Sequence, residues 1–167
     1  LSPAAAIVTN IEADHLDHYE GLEEIYTQFA AFLSGVREGG PIVVCGDDPK
    51  LVEVARGTGR TVTTYGFSED CDARILATEA QGVGTRFTLR LPDGRVVTGK
   101  TGNLLGAASA LLMNALKGVS GVDDELYVIS DDVLEPICHL KTAHLRSHNP
   151  RLHSDETLLA LSISSVH

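Results

Sequence analysis

Short apolar runs alternate with helical repeats over the first 66 residues. "AAAIV" (4–8), "PIVVC" (41–45) and "RTVTTYGF" (60–67) each have the length of a buried strand. Between the first two runs, apolar side chains recur at helical spacing, namely Leu22, Ile25, Tyr26, Phe29, Phe32, Leu33 and Val36. This alternation is typical of a parallel sheet covered by helices, so we expect "AAAIV" to be buried on both faces.

Turn and cap signals extend this prediction along the chain. "GDDPKLVEVARG" predicts a second helix, since Asp48 can cap it, Pro49 fits its first position and Gly57 can end it. The pattern then changes, because "DARILATEA" and "TRFTLRL" alternate residue by residue around "QGVG". Such alternation predicts an antiparallel hairpin with one wet face, followed by the turn "PDGR".

The C-terminal part of the chain is predicted to be mainly helical. Leu104 to Lys117 is rich in Ala and Leu and predicts a well-buried helix. "LYVIS" is a strand candidate, "DDVLEPICHLKTAHL" a helix candidate, and "SDETLLALSISS" a last helix capped by Ser154. The predicted fold class is therefore α/β, a mostly parallel sheet flanked by helices, with an antiparallel hairpin and a helical C-terminal part.

Composition and charge exclude several classes of protein. Hydrophobic residues make up 43% of the 167 residues and charged residues 22%, which is typical of a folded domain. The net charge of -10 argues against broad binding of nucleic acid, because neutralising phosphates requires clustered Lys and Arg. No apolar stretch has the length of a membrane span, and the three cysteines form no C-x-x-C pair. We therefore expect reduced thiols, no membrane or nucleic-acid partner and a cytoplasmic location. The lack of an initial Met suggests a piece cut from a longer protein.

The densest cluster of reactive side chains directly follows the first predicted strand, in "TNIEADHLDHY" (9–19). Ligands of open parallel sheets bind beyond the carboxyl ends of the strands, which is where Asn10, Asp14 and His15 would lie. Carboxylates and one imidazole could hold Mg²⁺ together with water. The alternative is a strand-to-helix loop of solvated charges that favours the next helix N-terminus.

The motifs of the N-terminal part resemble those of a known family. "AIVTNIEADHLDHYEGLEEIYTQFAAFLSGV", "VVCGDDP" and "TVTTYGFSEDCDARI" are similar to the central ATP-binding domain of the Mur ligases, especially their alanine-adding branch, over about residues 1–90. The resemblance implies that His15 holds the catalytic Mg²⁺ and that Asn10 and Asp14 share its active-site loop. It also implies ATP as cofactor, and UDP-N-acetylmuramate and L-alanine as substrates that are joined through an acyl phosphate in peptidoglycan precursor synthesis.

The chain departs from the Mur pattern in two ways. It contains no G-x-x-G-K-[ST] phosphate loop, since "DGRVVTGKTG" has "GKT" but carries Val96, not glycine, three positions before Gly99. The family's adenine-contacting G-x-H-N-x-x-N element should fall near "GKTGNLLGA". There Asn103 aligns with the first Asn, but Gly102 and Gly106 replace the His and the second Asn. We therefore expect this chain to be inactive by itself, with Asn103 as a weak candidate for adenine binding.

A second resemblance covers about residues 91–166. "GKTGNLLGAASALLMNALK" and "SHNPRLHSDE" look like the C-terminal part of a large bacterial family of unknown function. We therefore predict a partial Mur-like domain at 1–91 and a C-terminal α/β segment at 92–167. We expect the segment to pack on the same core and to join the first part near the turn at 92–95.

Four histidines between positions 139 and 153 raise the alternative of a metal site, namely His139, His144, His148 and His153. His144 and His148 have the i, i+4 spacing that places two side chains on one helix face. However, Asn149-Pro150 should end that helix. The alternative to a metal site is that these histidines are partly exposed polar side chains or belong to a ligand loop.

Three functions thus remain open from the sequence. The first is a segment of an ATP- and Mg²⁺-dependent Mur-type ligase. The second is a non-catalytic hybrid or assembly module that keeps the core and a vestigial loop. The third is the unknown function of the C-terminal family.

Overall fold

A computed structural model describes residues 2–13 and 19–165 of the chain. The chain divides into two compact units, Leu1–Ile75 and Leu76–His167, called here the N-terminal and C-terminal units. The elements are β1 (Ala6–Val8), α1 (Leu22–Ser34), β2 (Ile42–Cys45), α2 (Pro49–Gly57), β3 (Val62–Gly66), β4 (Ala73–Gln81), β5 (Gly84–Arg90), β6 (Val96–Lys100), α3 (Ala107–Ser120), α4 (Asp131–His139), a π-helical segment (Leu140–His144) and α5 (Ser154–Ser164).

The predicted α/β class is confirmed. Neighbouring strands follow chain order from β1 to β6. β1 to β4 pair in parallel, with registers such as Ala6 opposite Ile42 and Tyr65 opposite Ala73. β5 and β6 are antiparallel, with Thr88 opposite Thr98. Only Gly82 and Val83 separate β4 from β5, as the hairpin pattern predicts.

The N-terminal unit has one covered sheet face. α1 and α2 contact each other, and the core lies beneath them, with the most buried side chains at Leu33, Val36, Ile42, Val44, Leu51 and Ala55. Ala6 and Val8 point into this core, but Ile7 between them is 70% exposed. The prediction that β1 is buried on both faces is therefore wrong for the described residues, because the helices that follow β1 and β2 cover one side only.

Hydrogen bonds explain why the acidic motifs of this unit occur where they do. The Asp48 carboxylate accepts the N–H groups of Lys50 at 3.0 Å and Leu51 at 3.1 Å, so the predicted cap of α2 is confirmed. The Asp47 carboxylate accepts the N–H groups of Phe67 and Ser68, both at 2.8 Å. The Asp47 carboxylate thus joins the "GDDP" loop to the "YGFSE" loop.

Asp72 holds the end of β3 in the same way. Its carboxylate accepts both the backbone N–H and the hydroxyl of Thr64 at 2.8 Å. The bond from the Thr64 N–H is the main reason that the pKa of Asp72 lies below its ordinary value, although burial acts in the opposite direction.

The C-terminal unit is built on α3, α4 and α5. Met113, Ile129 and Ala160 form its buried cluster. "LYVIS" is an irregular segment and not a strand, because Ile129 packs on the helices instead of pairing with a strand. α5 is preceded by His153 as its cap residue, one position before the predicted Ser154. α3 starts at Ala107 instead of 104, and only three of its residues are buried, so the well-buried helix predicted there is partly exposed.

Close contact between β6 and α3 depends on Gly99. A Cβ at this position would lie 2.3 Å from both the Ala107 oxygen and the Leu111 nitrogen. These are backbone atoms of α3, so neither can move aside as a flexible side chain would. The glycine is therefore what allows the helix to pack directly on the strand.

We expect Gly99→Ala to lower the free energy of unfolding by about 1–3 kcal/mol, since overpacking forces strand and helix apart. Gly118→Ala is the matched control, because a Cβ there has no atom closer than 4.0 Å and the position lies in the same helix, α3. Urea unfolding of both variants measures the difference. Equal midpoints for the two variants would show that the close approach is not a constraint.

Candidate functional site

The carboxyl end of β1 carries a short chain of hydrogen bonds. The Thr9 hydroxyl donates to Asn10 Oδ1 at 3.1 Å, and Asn10 Nδ2 donates to Glu12 Oε1 at 2.7 Å. These bonds orient the Asn10 amide and one Glu12 carboxylate oxygen at the edge where parallel sheets bind ligands. The predicted site residues Asp14 and His15 lie outside the described residues, so their roles stay predictions.

A cavity of about 390 Å³ opens beside this chain of bonds. Its polar side is formed by Asn10 and Glu12, and the remaining lining residues are Ile11, Tyr19, Ile25, Gln28 and Phe29. Its size falls in the range of small-molecule sites, and its lining combines an apolar wall with a few polar groups, which is typical of such sites.

Oxygen donors at this edge match part of what Mg²⁺ requires. The Glu12 carboxylate and the Asn10 amide oxygen are hard donors of the kind that Mg²⁺ prefers. Within residues 2–13 and 19–165, no three His, Cys, Asp or Glu side chains are grouped so as to hold a metal ion. A Mg²⁺ site that includes His15 therefore stays a prediction.

Asn103 lies in the C-terminal unit, in the loop between β6 and α3. Its side chain is exposed, and the loop is closed by the Gly102 N–H donating to the Leu105 oxygen at 2.9 Å. Lys100 of "GKT" is the last residue of β6, opposite Arg86 in an antiparallel pair. A phosphate-loop lysine instead opens a helix after a glycine-rich turn, so this segment lacks that geometry.

The buried residue Leu152 joins this loop to the "SHNPRLHSDE" segment. Its N–H donates to the Leu104 oxygen at 2.7 Å, and its oxygen accepts the Gly106 N–H at 3.1 Å and the Ser109 hydroxyl at 2.9 Å. We call these three bonds the Leu152 bridge. Arg151 adds a bond from Nε to the Gly102 oxygen at 2.7 Å. The sequence singled out both stretches but gave no sign that they touch.

An ion pair supports the bridge from the other side. Lys141 is only 5% exposed, and its Nζ lies 2.6 Å from both Glu156 Oε2 and the Arg151 oxygen. Glu156 Oε2 also accepts the His153 N–H at 2.7 Å. Burial opposes ionisation of Glu156, but the bonds from Lys141 and His153 outweigh it and lower its pKa. Sequence reasoning missed this pair because a lone Lys in a helical stretch resembles a surface residue.

The histidines do not form the metal site considered from the sequence within the described residues. The rings of His139 and His144 meet edge to face, with centroids 5.4 Å apart. The helical segment ends at His144, and Arg146 has a left-handed φ of 56°, so His144 and His148 do not share a helix face. The expected end of the helix at Asn149-Pro150 therefore comes several residues earlier.

The C-terminal motifs identify the family of the chain. Residues 68–167 match the family model described as the domain of unknown function DUF1846, C-terminal. The chain belongs to the DUF1846 family. The match contains both partners of the Leu152 bridge and the pair Lys141–Glu156. It also begins upstream of the predicted join at 92–95, so that β4 and β5 belong to the matched part.

Curated relatives agree with this assignment. A UPF0371 protein of Corynebacterium aurimucosum is 53% identical over 94 residues, which are 56% of this chain and 18% of the relative. A UPF0371 protein of Corynebacterium efficiens is 50% identical over 94 residues, with 56% of this chain and 19% of the relative covered. The chain thus spans less than a fifth of the length of these relatives.

Solved structures show a likeness of fold. The MurF ligase from Thermotoga maritima, in complex with ADP, has a TM-score of 0.53 and 19% identity, with 72% of this chain and 28% of that one covered. A second structure has a TM-score of 0.50 and 20% identity, with 74% of this chain and 27% of that chain covered. It is the UDP-N-acetylmuramoylalanyl-D-glutamyl-2,6-diaminopimelate--D-alanyl-D-alanyl ligase from Acinetobacter baumannii. Among the described residues, no helix is long and apolar enough to cross a membrane.

We expect Lys141→Met to lower the free energy of unfolding by about 3 kcal/mol, because it leaves Glu156 charged and partly buried without its partner. Lys100→Met is the matched control, since Lys100 is an exposed lysine of the same unit and its loss should change stability by about 0.5 kcal/mol or less. Chemical denaturation measures both. Similar small losses in the two variants would mean that the pair adds nothing beyond a surface contact.

The lowered pKa of Glu156 also predicts a pH dependence. A carboxyl with a depressed folded-state pKa contributes stability that is fully present above its unfolded value of about 4.3 and is lost as pH falls through the folded value. As the pH is lowered from neutral, the free energy of unfolding should therefore fall more steeply for the unchanged chain than for Glu156→Gln. Denaturant unfolding at a series of pH values measures this. Parallel pH profiles would contradict the assignment.

Proposed function

We propose that this chain supplies part of an ATP- and Mg²⁺-dependent ligase of the Mur type. The observation that carries the proposal is the oriented pair of Asn10 and Glu12 at the carboxyl end of β1, beside the cavity of about 390 Å³. This is the edge at which parallel α/β sheets bind ligands. The fold likeness to a MurF ligase in complex with ADP supports the choice of nucleotide.

The proposed reaction has two steps. ATP transfers its terminal phosphoryl group to the carboxylate of UDP-N-acetylmuramate, which gives an acyl phosphate and ADP. The amino group of L-alanine then attacks the acyl carbon, the phosphate leaves, and an amide forms with loss of a proton. The choice of this sugar nucleotide and this amino acid as substrates rests on the sequence motifs that resemble the alanine-adding branch.

Within the chain, the task is to position charge rather than to form covalent bonds. Mg²⁺, when bound, would shield the phosphate oxygens from the substrate carboxylate. Asn10 and Glu12 offer oxygens that are already oriented by the bonds to Thr9 and to each other. Asp14 and His15 are proposed to complete the ligand set, with His15 as the main protein ligand. Asn103 stays the candidate for adenine binding that the sequence motif alone suggests.

A second candidate is a non-catalytic hybrid or assembly module, and it is distinct from a third, the function of the DUF1846 family itself. The Leu152 bridge favours the module, because the two motifs it joins belong to the family match and hold each other through backbone bonds. In this reading the loop after β1 is vestigial. The proposed boundary between the parts lies at 68–75 along the chain, since the family match begins at 68 and the first unit ends at Ile75.

Nucleotide binding separates the two candidates. A ligand that binds only the folded state stabilises it and so raises the melting temperature. At a ligand concentration of a hundred times the dissociation constant, the free energy of unfolding rises by about 2.7 kcal/mol. We expect Mg²⁺ with ATP to stabilise the chain, and Mg²⁺ or ATP alone to do so less. Differential scanning fluorimetry at fixed ionic strength measures the shift.

Asn10→Ala and His15→Ala should each reduce the shift, whereas Thr27→Ala should leave it unchanged. Thr27 is the matched control because it is exposed on α1 and its hydroxyl donates to the Glu23 oxygen of its own helix at 2.9 Å. The absence of any shift at millimolar Mg²⁺ and ATP would reject the ligase proposal and favour the module.

A further inference from the structure

Two histidine rings at the end of α4 lie in contact although five positions separate them along the chain. The centroids of the His139 and His144 rings are 5.4 Å apart, and the ring planes are inclined at 72°. On an α-helix, side chains five positions apart point about 140° away from each other, since each residue adds about 100°. A regular helix would therefore not bring these two rings together.

The π-helical segment Leu140–His144 explains the contact. In it the Leu145 N–H donates to the Leu140 oxygen at 3.0 Å, a bond over five positions instead of four. The wider turn gives the residue at i+5 nearly the place that i+4 has in an α-helix. Single π-helical turns of this kind are rare, and they occur frequently at functional sites.

Two histidines in this relation match the arrangement of metal ligands on helices. A pair at i and i+4 on one face of an α-helix binds Zn²⁺. The ion holds each imidazole nitrogen at about 2.0–2.1 Å, so two imidazoles at a tetrahedral angle have centroids about 5 Å apart. The 5.4 Å between His139 and His144 fits one shared ion. Both side chains are exposed, so rotation of the rings can direct a nitrogen of each to that ion.

The pair would leave coordination positions of the ion open. Within residues 2–13 and 19–165, no third His, Cys, Asp or Glu side chain completes a metal cluster with it. Water or a donor atom of another molecule would fill the remaining positions of a four-coordinate ion. The positive charge inside the segment is compensated, because Lys141 is buried and its ammonium group is paired with Glu156.

We propose that His139 and His144 together form a binding site for one divalent transition-metal ion of the class of Zn²⁺. Neutral imidazole nitrogens suit Zn²⁺, Ni²⁺ and Cu²⁺, whereas Mg²⁺ prefers oxygen ligands. The site lies in the C-terminal unit, within the part that matches the DUF1846 model, and it does not depend on the ligase proposal. It differs from the four-histidine site considered from the sequence, because only two of those histidines take part.

A Zn²⁺ titration of the full chain, followed by the NMR signals of the histidine rings, tests the site. The chain has seven histidines, so the readout has to resolve single rings. We expect the His139 and His144 rings to shift together, with one common midpoint and saturation at one ion per pair. Excess Mg²⁺ should not reverse the shift. Different midpoints for the two rings, or no saturable shift of either, would overturn the proposal.

Single substitutions distinguish one shared ion from two separate weak sites. An ion held by one imidazole meets the second as an intramolecular ligand, so His139→Gln should raise the Zn²⁺ midpoint of the His144 ring by about a hundredfold. His144→Gln should do the same for the His139 ring, and neither change should disturb the core, because both side chains are exposed.

His148→Gln is the matched control for these substitutions. His148 is also exposed, but it follows the turn at Arg146 and does not share the helix face of His144. Its loss should leave the common midpoint of His139 and His144 unchanged. A His144 midpoint that is the same with and without His139→Gln would contradict the shared ion.

Discussion

The C-terminal unit depends on one fully buried residue, Leu152. Its backbone forms hydrogen bonds with the loop before α3 and with the first turn of that helix. The Leu152 N–H donates to the Leu104 oxygen, and the Leu152 oxygen accepts from the Gly106 N–H and the Ser109 hydroxyl. Buried backbone groups must be paired, so an extended segment that enters the core has to find such a loop. The constraint fixes where α3 begins and where the chain turns towards α5.

The same constraint accounts for the unusual backbone that precedes Leu152. The chain leaves α4 through the π-helical segment Leu140–His144, in which the Leu145 N–H bonds to the Leu140 oxygen, and then passes through Arg146 at positive φ. Departures of this kind persist where the surroundings fix them. Here the surroundings include Lys141, whose ammonium group is held by Glu156 and by the Arg151 oxygen.

Local signals were sufficient for much of the fold but not for these contacts. Asp48 and Pro49 predict α2 because capping acts within four residues, and the alternation around Gly82 predicts the hairpin for the same reason. Two predictions were wrong, the burial of "AAAIV" on both faces and the strand at "LYVIS". Both properties depend on which other elements pack against these segments, and local sequence does not show that. Lys141 and Leu152 could not be predicted, since their partners are distant in sequence. At the candidate site, sequence placed Asn10 at a strand end, but the bond to Glu12 and the adjoining cavity required the structure.

We have proposed that the loop after β1 binds Mg²⁺ together with nucleotide. Mn²⁺ can take the place of Mg²⁺ and broadens the resonances of nearby nuclei, so it locates the ion directly. With ATP present, we expect broadening centred on amides 9–13 and 19–29, reversed by excess Mg²⁺. Broadening centred instead on the acidic stretch 123–132, or spread evenly over the chain, would contradict it.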